Sequence, residues 1–270
     1  MPTLRISDAD AIAYDDAGQG PVIVLVHGSP GTSRAWQPVA ERLAPRFRVI
    51  SPNLPGYGGT TRPAGAGPGD SSYAAGLIEA LIAEVGAPAV LAGHSYGGAV
   101  ALVTALRGRV EARALALFEP VAIPVLAAVG ETEAFAAARV LFEGYCAAFE
   151  RGDPGAVRIM VDYWFGAGVL DQMPAPMREF LVAHTGHNVR DVRATFRDPY
   201  SVGALRGLTM PVLCVVGSRS PAMTGKIVEA IASHAPRGII RKLEKANHAM
   251  TTTHADAVAA LIAELADGSV

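Results

Sequence analysis

Residues 89–98 read Ala-Val-Leu-Ala-Gly-His-Ser-Tyr-Gly-Gly. The stretch opens on a short apolar run of strand character. A run rich in alanine, valine and leucine continues it to about residue 107 and predicts a helix over 96–107. Ser95 therefore stands at a strand-to-helix junction, and Gly93-His94-Ser95-Tyr96-Gly97 matches G-x-S-x-G. Small residues flank the serine because the turn is sharp; such a turn lifts the hydroxyl above the sheet edge beside a helix N-terminus. A glycine-rich turn without chemistry is the plain alternative. The strand before it and the helix after it favour a nucleophilic serine.

Working outward, strand-like and helical stretches alternate. The run 22–26 is continuous and β-branched, as in a strand buried on both faces of a parallel sheet. A helix capped by Thr32 or Ser33 runs to about Leu43, followed by a strand at 47–51 and a helix at 72–85. Strands at 89–95 and 114–118 bracket the helix 96–107. Short strands at 3–6 and 10–15 come first. From about 121 to 205 the strand signal disappears, and helices are expected at about 132–150, from Asp153-Pro154 to 166, at 175–184 and at 187–197. Alternation then resumes with strand 211–216, helix 223–234, strand 238–243 and helix 253–266. The pattern predicts an α/β architecture: a mostly parallel sheet with helices on both faces. Residues 1–120 and 206–270 would form the core, and 121–205 an inserted helical cap.

Two further segments fall where a nucleophilic serine needs them. His27-Gly28-Ser29-Pro30-Gly31 follows the buried strand 22–26, so its loop can offer a backbone N–H to an oxygen near Ser95. The backbone amides of Ser29 and Tyr96 are the candidate oxyanion donors, and losing one such donor typically slows turnover about 10²–10³-fold. His27 is read as a support of that loop. Late in the chain, Ala246-Asn247-His248-Ala249 places His248 at the end of strand 238–243, suited to a general base; His254, near the last helix, is the second choice.

Composition narrows the rest. With 270 residues, 50% of them hydrophobic and 18% charged, a large buried core is expected. A formal charge of -2 gives no electrostatic case for a nucleic-acid partner. Neither a G-x-G-x-x-G fingerprint, a P-loop nor metal-ligand spacing is present, so no cofactor or metal is expected. Cys146 and Cys214 read as buried reduced thiols. No apolar run is long enough for a membrane span, and the N-terminus lacks a signal-peptide pattern. A cytoplasmic location is the resulting expectation; oligomeric state is left open.

HGSPG, SPNLPGYGGTTRP, GHSYGG and the NHAM histidine, in this order, resemble the α/β-hydrolase fold superfamily, specifically its small cap-bearing members. The resemblance covers essentially the whole chain, although the cap corresponds only in being helical. It implies an eight-stranded sheet, a Ser–acid–His order and a hydrolase. The superfamily's commonest acid position follows strand 211–216, where this chain has Ser220, and no Asp or Glu occurs between Asp198 and Glu229. Some members carry the acid after the preceding core strand, which here ends Ala-Leu-Phe-Glu119-Pro120. Strands of a parallel sheet end on one edge, so Glu119 would share that edge with Ser95 and the His248 loop. Glu119 is therefore the expected acid, ahead of Asp171, Asp198 and Asp162; Ser220 becomes a turn residue with a possible local backbone bond.

The expected function is hydrolysis of a carboxylic ester, or of a lactone or thioester, through an acyl-enzyme on Ser95, His248 and Glu119. The partner is a small molecule with an apolar portion. Trp164, Tyr145 and His94 are candidate pocket residues. Carbon–carbon bond hydrolysis and perhydrolysis on the same residues, or a ligand sensor with little turnover, are the alternatives.

Overall fold

A computed structural model describes residues 1–62, 69–86 and 89–269. Pro63, the last residue of the SPNLPGYGGTTRP segment, lies outside the described residues. The first half of the chain forms β1 (Thr3–Arg5), β2 (Ala11–Ala17), β3 (Val22–Val26), α1 (Gln37–Leu43), β4 (Arg48–Pro52), α2 (Ser72–Val85), β5 (Ala89–His94), α3 (Tyr96–Arg107) and β6 (Ala112–Phe118). Seven helices follow: α4 (Pro124–Ala128), α5 (Thr132–Glu150), α6 (Ala156–Phe165), α7 (Val169–Gln172), α8 (Ala175–Ala183), α9 (Thr185–Thr195) and α10 (Val202–Arg206). The chain then returns through β7 (Val212–Gly217), α11 (Ala222–His234), β8 (Gly238–Leu243), α12 (Met250–Thr253) and α13 (Ala255–Asp267).

One eight-stranded sheet has the order β1-β2-β4-β3-β5-β6-β7-β8. β1 and β2 run antiparallel to their neighbours, and the six strands from β3 to β8 are parallel. Side chains alternate across the sheet with the period of two that a strand imposes. On β3, Ile23 and Leu25 join Trp36, Val39, Val258 and Ile262 on the face carrying α1 and α13. Val24 and Val26 join Leu77, Leu81, Val100, Ile227 and Ile231 on the face carrying α2, α3 and α11. Both faces are thereby covered, which explains why the central strands read as unbroken apolar runs. This is the α/β-hydrolase fold expected from the sequence.

Local details differ from the expectations in three places. The helix assigned to start at Asp153-Pro154 begins at Ala156; Asp153 instead accepts the Gly155 amide at 2.7 Å, forming a turn before the helix. Thr32 makes no side-chain cap, and Ser33 opens a 3₁₀ turn while its hydroxyl donates to Asp15 at 2.6 Å. The helices α4, α7, α10 and α12 were not expected. At four or five residues each, they are shorter than the window over which helical periodicity can be recognised.

Candidate active site

The sheet register brings the predicted residues to one edge. His94 pairs with Phe118 across β5 and β6, and Phe118 pairs with Val215 across β6 and β7. Ser95 and Glu119 are each one residue beyond those strands and so stand level with one another. The Ser95 amide donates to Phe118 O at 3.0 Å and the Glu119 amide to Val215 O at 3.0 Å, which extends the parallel ladder one step past the strand ends.

Ser95 has φ 55° and ψ -122°, a conformation rarely held by a side-chain-bearing residue. The two glycines around it are required by close approach. A Cβ on Gly93 would come within 2.3 Å of Gly97 O, and one on Gly97 would meet the carbonyls of Val26 and His27 at 2.3 Å. Any larger residue there would push α3 away from β3 and β5 and lose the turn.

A hydrogen-bonded chain runs through the site. Ser95 Oγ lies 2.9 Å from His248 Nε2, and His248 Nδ1 lies 2.7 Å from Glu119 Oε2. The other carboxylate oxygen, Oε1, accepts the Gly217 amide at 2.7 Å. With Nδ1–H donating to the carboxylate, Nε2 is free to accept the serine proton. Glu119 is fully buried, Ser95 is 7% exposed and His248 5%, so the chain operates out of bulk water. Glu119 also has positive φ, 46°, which turns its side chain back across the end of β7. An arrangement of this kind can pass a proton from the hydroxyl to the imidazole while the carboxylate stabilises the resulting cation.

Next to it, the loop after β3 is tied down by His27. Nε2 of His27 accepts the Leu54 amide at 2.9 Å, and Nδ1 donates to Gly28 O at 2.7 Å. Burial lowers this imidazole to about 4, so it stays neutral in that role. The amides of Ser29 and Tyr96 donate to no protein acceptor among the described residues. The Ser29–Pro30 bond is cis.

A narrow pocket opens at Ser95. Val121, Ile123, Phe142, Met160, Trp164 and Val192 supply its apolar wall, and Ser29, Tyr96, Asn188, Asp191 and Thr195 the remainder. Trp164, from α6, stacks on His248 with ring centroids 3.8 Å apart and planes 11° apart.

Residues 23–261 match the alpha/beta hydrolase family. The chain belongs to that family. A 114-residue stretch is 39% identical to the 2-hydroxy-6-oxo-2,4-heptadienoate hydrolase of Pseudomonas putida, covering 40% of this chain and 40% of that protein. The chain spans well under half the length of the curated relatives it matches first, 30% of one and 40% of another. Among solved structures, an alpha/beta hydrolase from Sphaerobacter thermophilus aligns with a TM-score of 0.75 and 25% identity over 98% of this chain and 99% of that one. A thermophilic esterase from Thermogutta terrifontis aligns with a TM-score of 0.75 and 25% identity over 96% and 94% of the two chains.

The other residues singled out from the sequence fall outside the chain of hydrogen bonds. Tyr145 does not line the pocket: it is wholly buried behind the wall and donates to Asn188 Oδ1 at 2.8 Å. His94 is also not a lining residue. It packs against His248 with centroids 4.7 Å apart, and burial, then the neighbouring His248, hold it well below the usual histidine range. His254 bonds Thr253 at 2.9 Å. Asp171 pairs with Arg158, Asp198 binds Ser71, and Asp162 accepts the Gly168 amide, so none of these alternative acids reaches His248. Ser220 is a turn residue, its amide donating to Gly217 O at 3.2 Å, but its buried hydroxyl makes no local bond and has no partner among the described residues. No helix among the described residues is long and apolar enough to cross a membrane.

Asn188 and Asp191 were missed. Both are buried on α9 and line the pocket. Their i, i+3 spacing on a helix with apolar Val189 and Val192 is the signal that could have found them, but polar residues at that spacing ordinarily face solvent.

Proposed function

We propose that the chain is a serine hydrolase that cleaves small ester-like substrates with an apolar portion through an acyl-enzyme. The observation that carries this is the continuous Ser95–His248–Glu119 hydrogen bonding, at 2.9 and 2.7 Å, on a serine held in a strained strand-to-helix turn. Ser95 Oγ attacks the carbonyl carbon while His248 Nε2 takes its proton and Glu119 stabilises the imidazolium. The amides of Ser29 and Tyr96 receive the oxyanion. His248 then returns the proton to the leaving alkoxide, and a water activated by the same imidazole releases the carboxylic acid.

The helical segment α4–α10 acts as a cap. It supplies Phe142, Met160, Trp164 and Val192 to the pocket, and this apolar wall favours an apolar acyl or alcohol group over a charged one. A panel of p-nitrophenyl esters of rising acyl length, together with lactones, tests the proposal. Wild type should turn over short esters and Ser95→Ala should lose that activity to background; equal rates for the two proteins would refute it. The match to a heptadienoate hydrolase favours one second reading, carbon–carbon bond hydrolysis on the same residues. It would be adopted if a vinylogous 1,5-diketone acid were cleaved far faster than every ester in the panel.

A further inference from the structure

The pocket lining also carries a buried polar cluster whose hydrogen bonds, among the described residues, do not include Ser95 or His248. Asn188 Nδ2 donates to both the carbonyl and the hydroxyl oxygen of Ser29, at 2.9 Å each. Ser29 Oγ donates to Asp191 Oδ2 at 2.7 Å, and the Tyr57 hydroxyl donates to the same oxygen at 2.9 Å. Asp191 Oδ1 pairs with Arg62 at 2.6 Å, and Asn188 Oδ1 accepts from Tyr145. Ser29 is thus held at its carbonyl and its side chain, leaving its amide as the free group.

Every side chain of the cluster has a partner inside it. Both oxygens of Asp191 and both ends of the Asn188 amide already have partners within the protein, and the two Nδ2 hydrogens of Asn188 are both spent on Ser29. Burying a carboxylate is costly even when it is paired, and an apolar helix face would pack this wall at least as cheaply. Fully satisfied networks do, however, fix geometry. What this one fixes is the residue after Gly28, whose Cα would place a Cβ only 3.0 Å from that of Ser95. Arg62 matters for the same reason: it offsets a negative charge that would otherwise oppose an oxyanion forming nearby.

We propose that Asn188 and Asp191 are positioning residues that clamp Ser29 so that its amide is aimed at the developing oxyanion. The inference rests on the hydrolase reading above. It makes α9, part of the inserted helical segment, a component of the oxyanion hole as well as a wall of the pocket. Because the clamp acts through Ser29 and not on bound substrate, it governs turnover and leaves ground-state binding alone.

The test uses the full-length chain with Asp191→Asn, Asn188→Ala, Ser29→Ala and the double variant Ser29→Ala/Asp191→Asn. Each is assayed for kcat and KM on a short p-nitrophenyl ester and for inhibition by an alkylboronic acid, whose adduct with a serine is tetrahedral. The single variants should lose about 10–10² in kcat with KM within about twofold, and boronate affinity should fall in parallel. In the double variant the loss should not exceed the larger single loss, because both substitutions cut one clamp. Should Asp191→Asn fail to fold, Ser29→Ala, which keeps its amide and leaves Asp191 paired with Arg62 and Tyr57, carries the same comparison. Unchanged kcat, a change in KM alone, undiminished boronate affinity or fully additive losses would each overturn the inference while the hydrolase reading stands. A folded wild type that neither turns over esters nor binds the boronate overturns both.

Discussion

A carboxylate at position 119 can serve His248 because β6 lies between the strand that carries Ser95 and the strand that carries the loop of Ser220. Its positive φ and the Gly217 amide hold it across the end of β7, in the space a β7 acid would otherwise fill. Ser220 keeps only its backbone turn bond to Gly217 O, and its hydroxyl has no partner among the described residues. Glu119→Gln should therefore reduce kcat about 10³–10⁴-fold, as loss of the orienting acid does in serine hydrolases, while Ser220→Ala leaves kcat close to wild type. Steady-state kinetics on a single ester separates the two. That Ser95, Glu119 and His248 come together was legible in the sequence because each directly follows a strand or stands in the loop after one, and strand ends of a parallel sheet converge. Tyr145 was misplaced for the opposite reason. Helical spacing gave its face of α5 but could not tell a place on the pocket from one behind Asn188, which lines the pocket and accepts the Tyr145 hydroxyl.

At the scale of elements, α6 covers the site and α9 braces it. Trp164 lies flat on His248, where its face can stabilise the imidazolium formed during turnover and its bulk restricts the pocket. Trp164→Ala should lower kcat/KM for the shortest ester about tenfold and move the preferred acyl chain toward longer esters. A chain-length profile measured on both proteins checks this; an unchanged profile would remove α6 from the pocket roof. The alternation of strands and helices was readable throughout the core because apolar runs of β-branched residues are bounded by turns. The inserted segment was readable as helical but no further. Its short helices lack enough turns for a periodic signal, and the contacts of Asn188 and Asp191 with Ser29 span about 160 residues of chain.

For the whole molecule, two buried groups push stability in opposite directions on acidification. His27 is lowered from 6.5 to about 4 by burial, so below pH 6.5 the unfolded chain takes up the proton first and stability is lost as pH falls. Asp198 is raised from 3.8 to about 6, chiefly by burial, so the folded chain takes up that proton first. Its contribution is present below pH 3.8 and is lost as pH rises through about 6. Asp198→Asn removes the second effect alone. Its melting temperature should fall more steeply than that of wild type between pH 6.5 and pH 4, and parallel curves would contradict these shifts. The overall architecture was the most legible level of all, since a chain of alternating strands and helices has few ways to cover both faces of a parallel sheet. What such a sheet delivers chemically comes down to one hydroxyl at its edge. Intact-protein and peptide mass spectrometry after brief exposure to a fluorophosphonate or a p-nitrophenyl ester tests that claim most directly. A single adduct on the peptide containing Ser95, absent in Ser95→Ala, is the predicted result; a folded wild-type protein that turns over the ester with Ser95 unmodified by either reagent would contradict it.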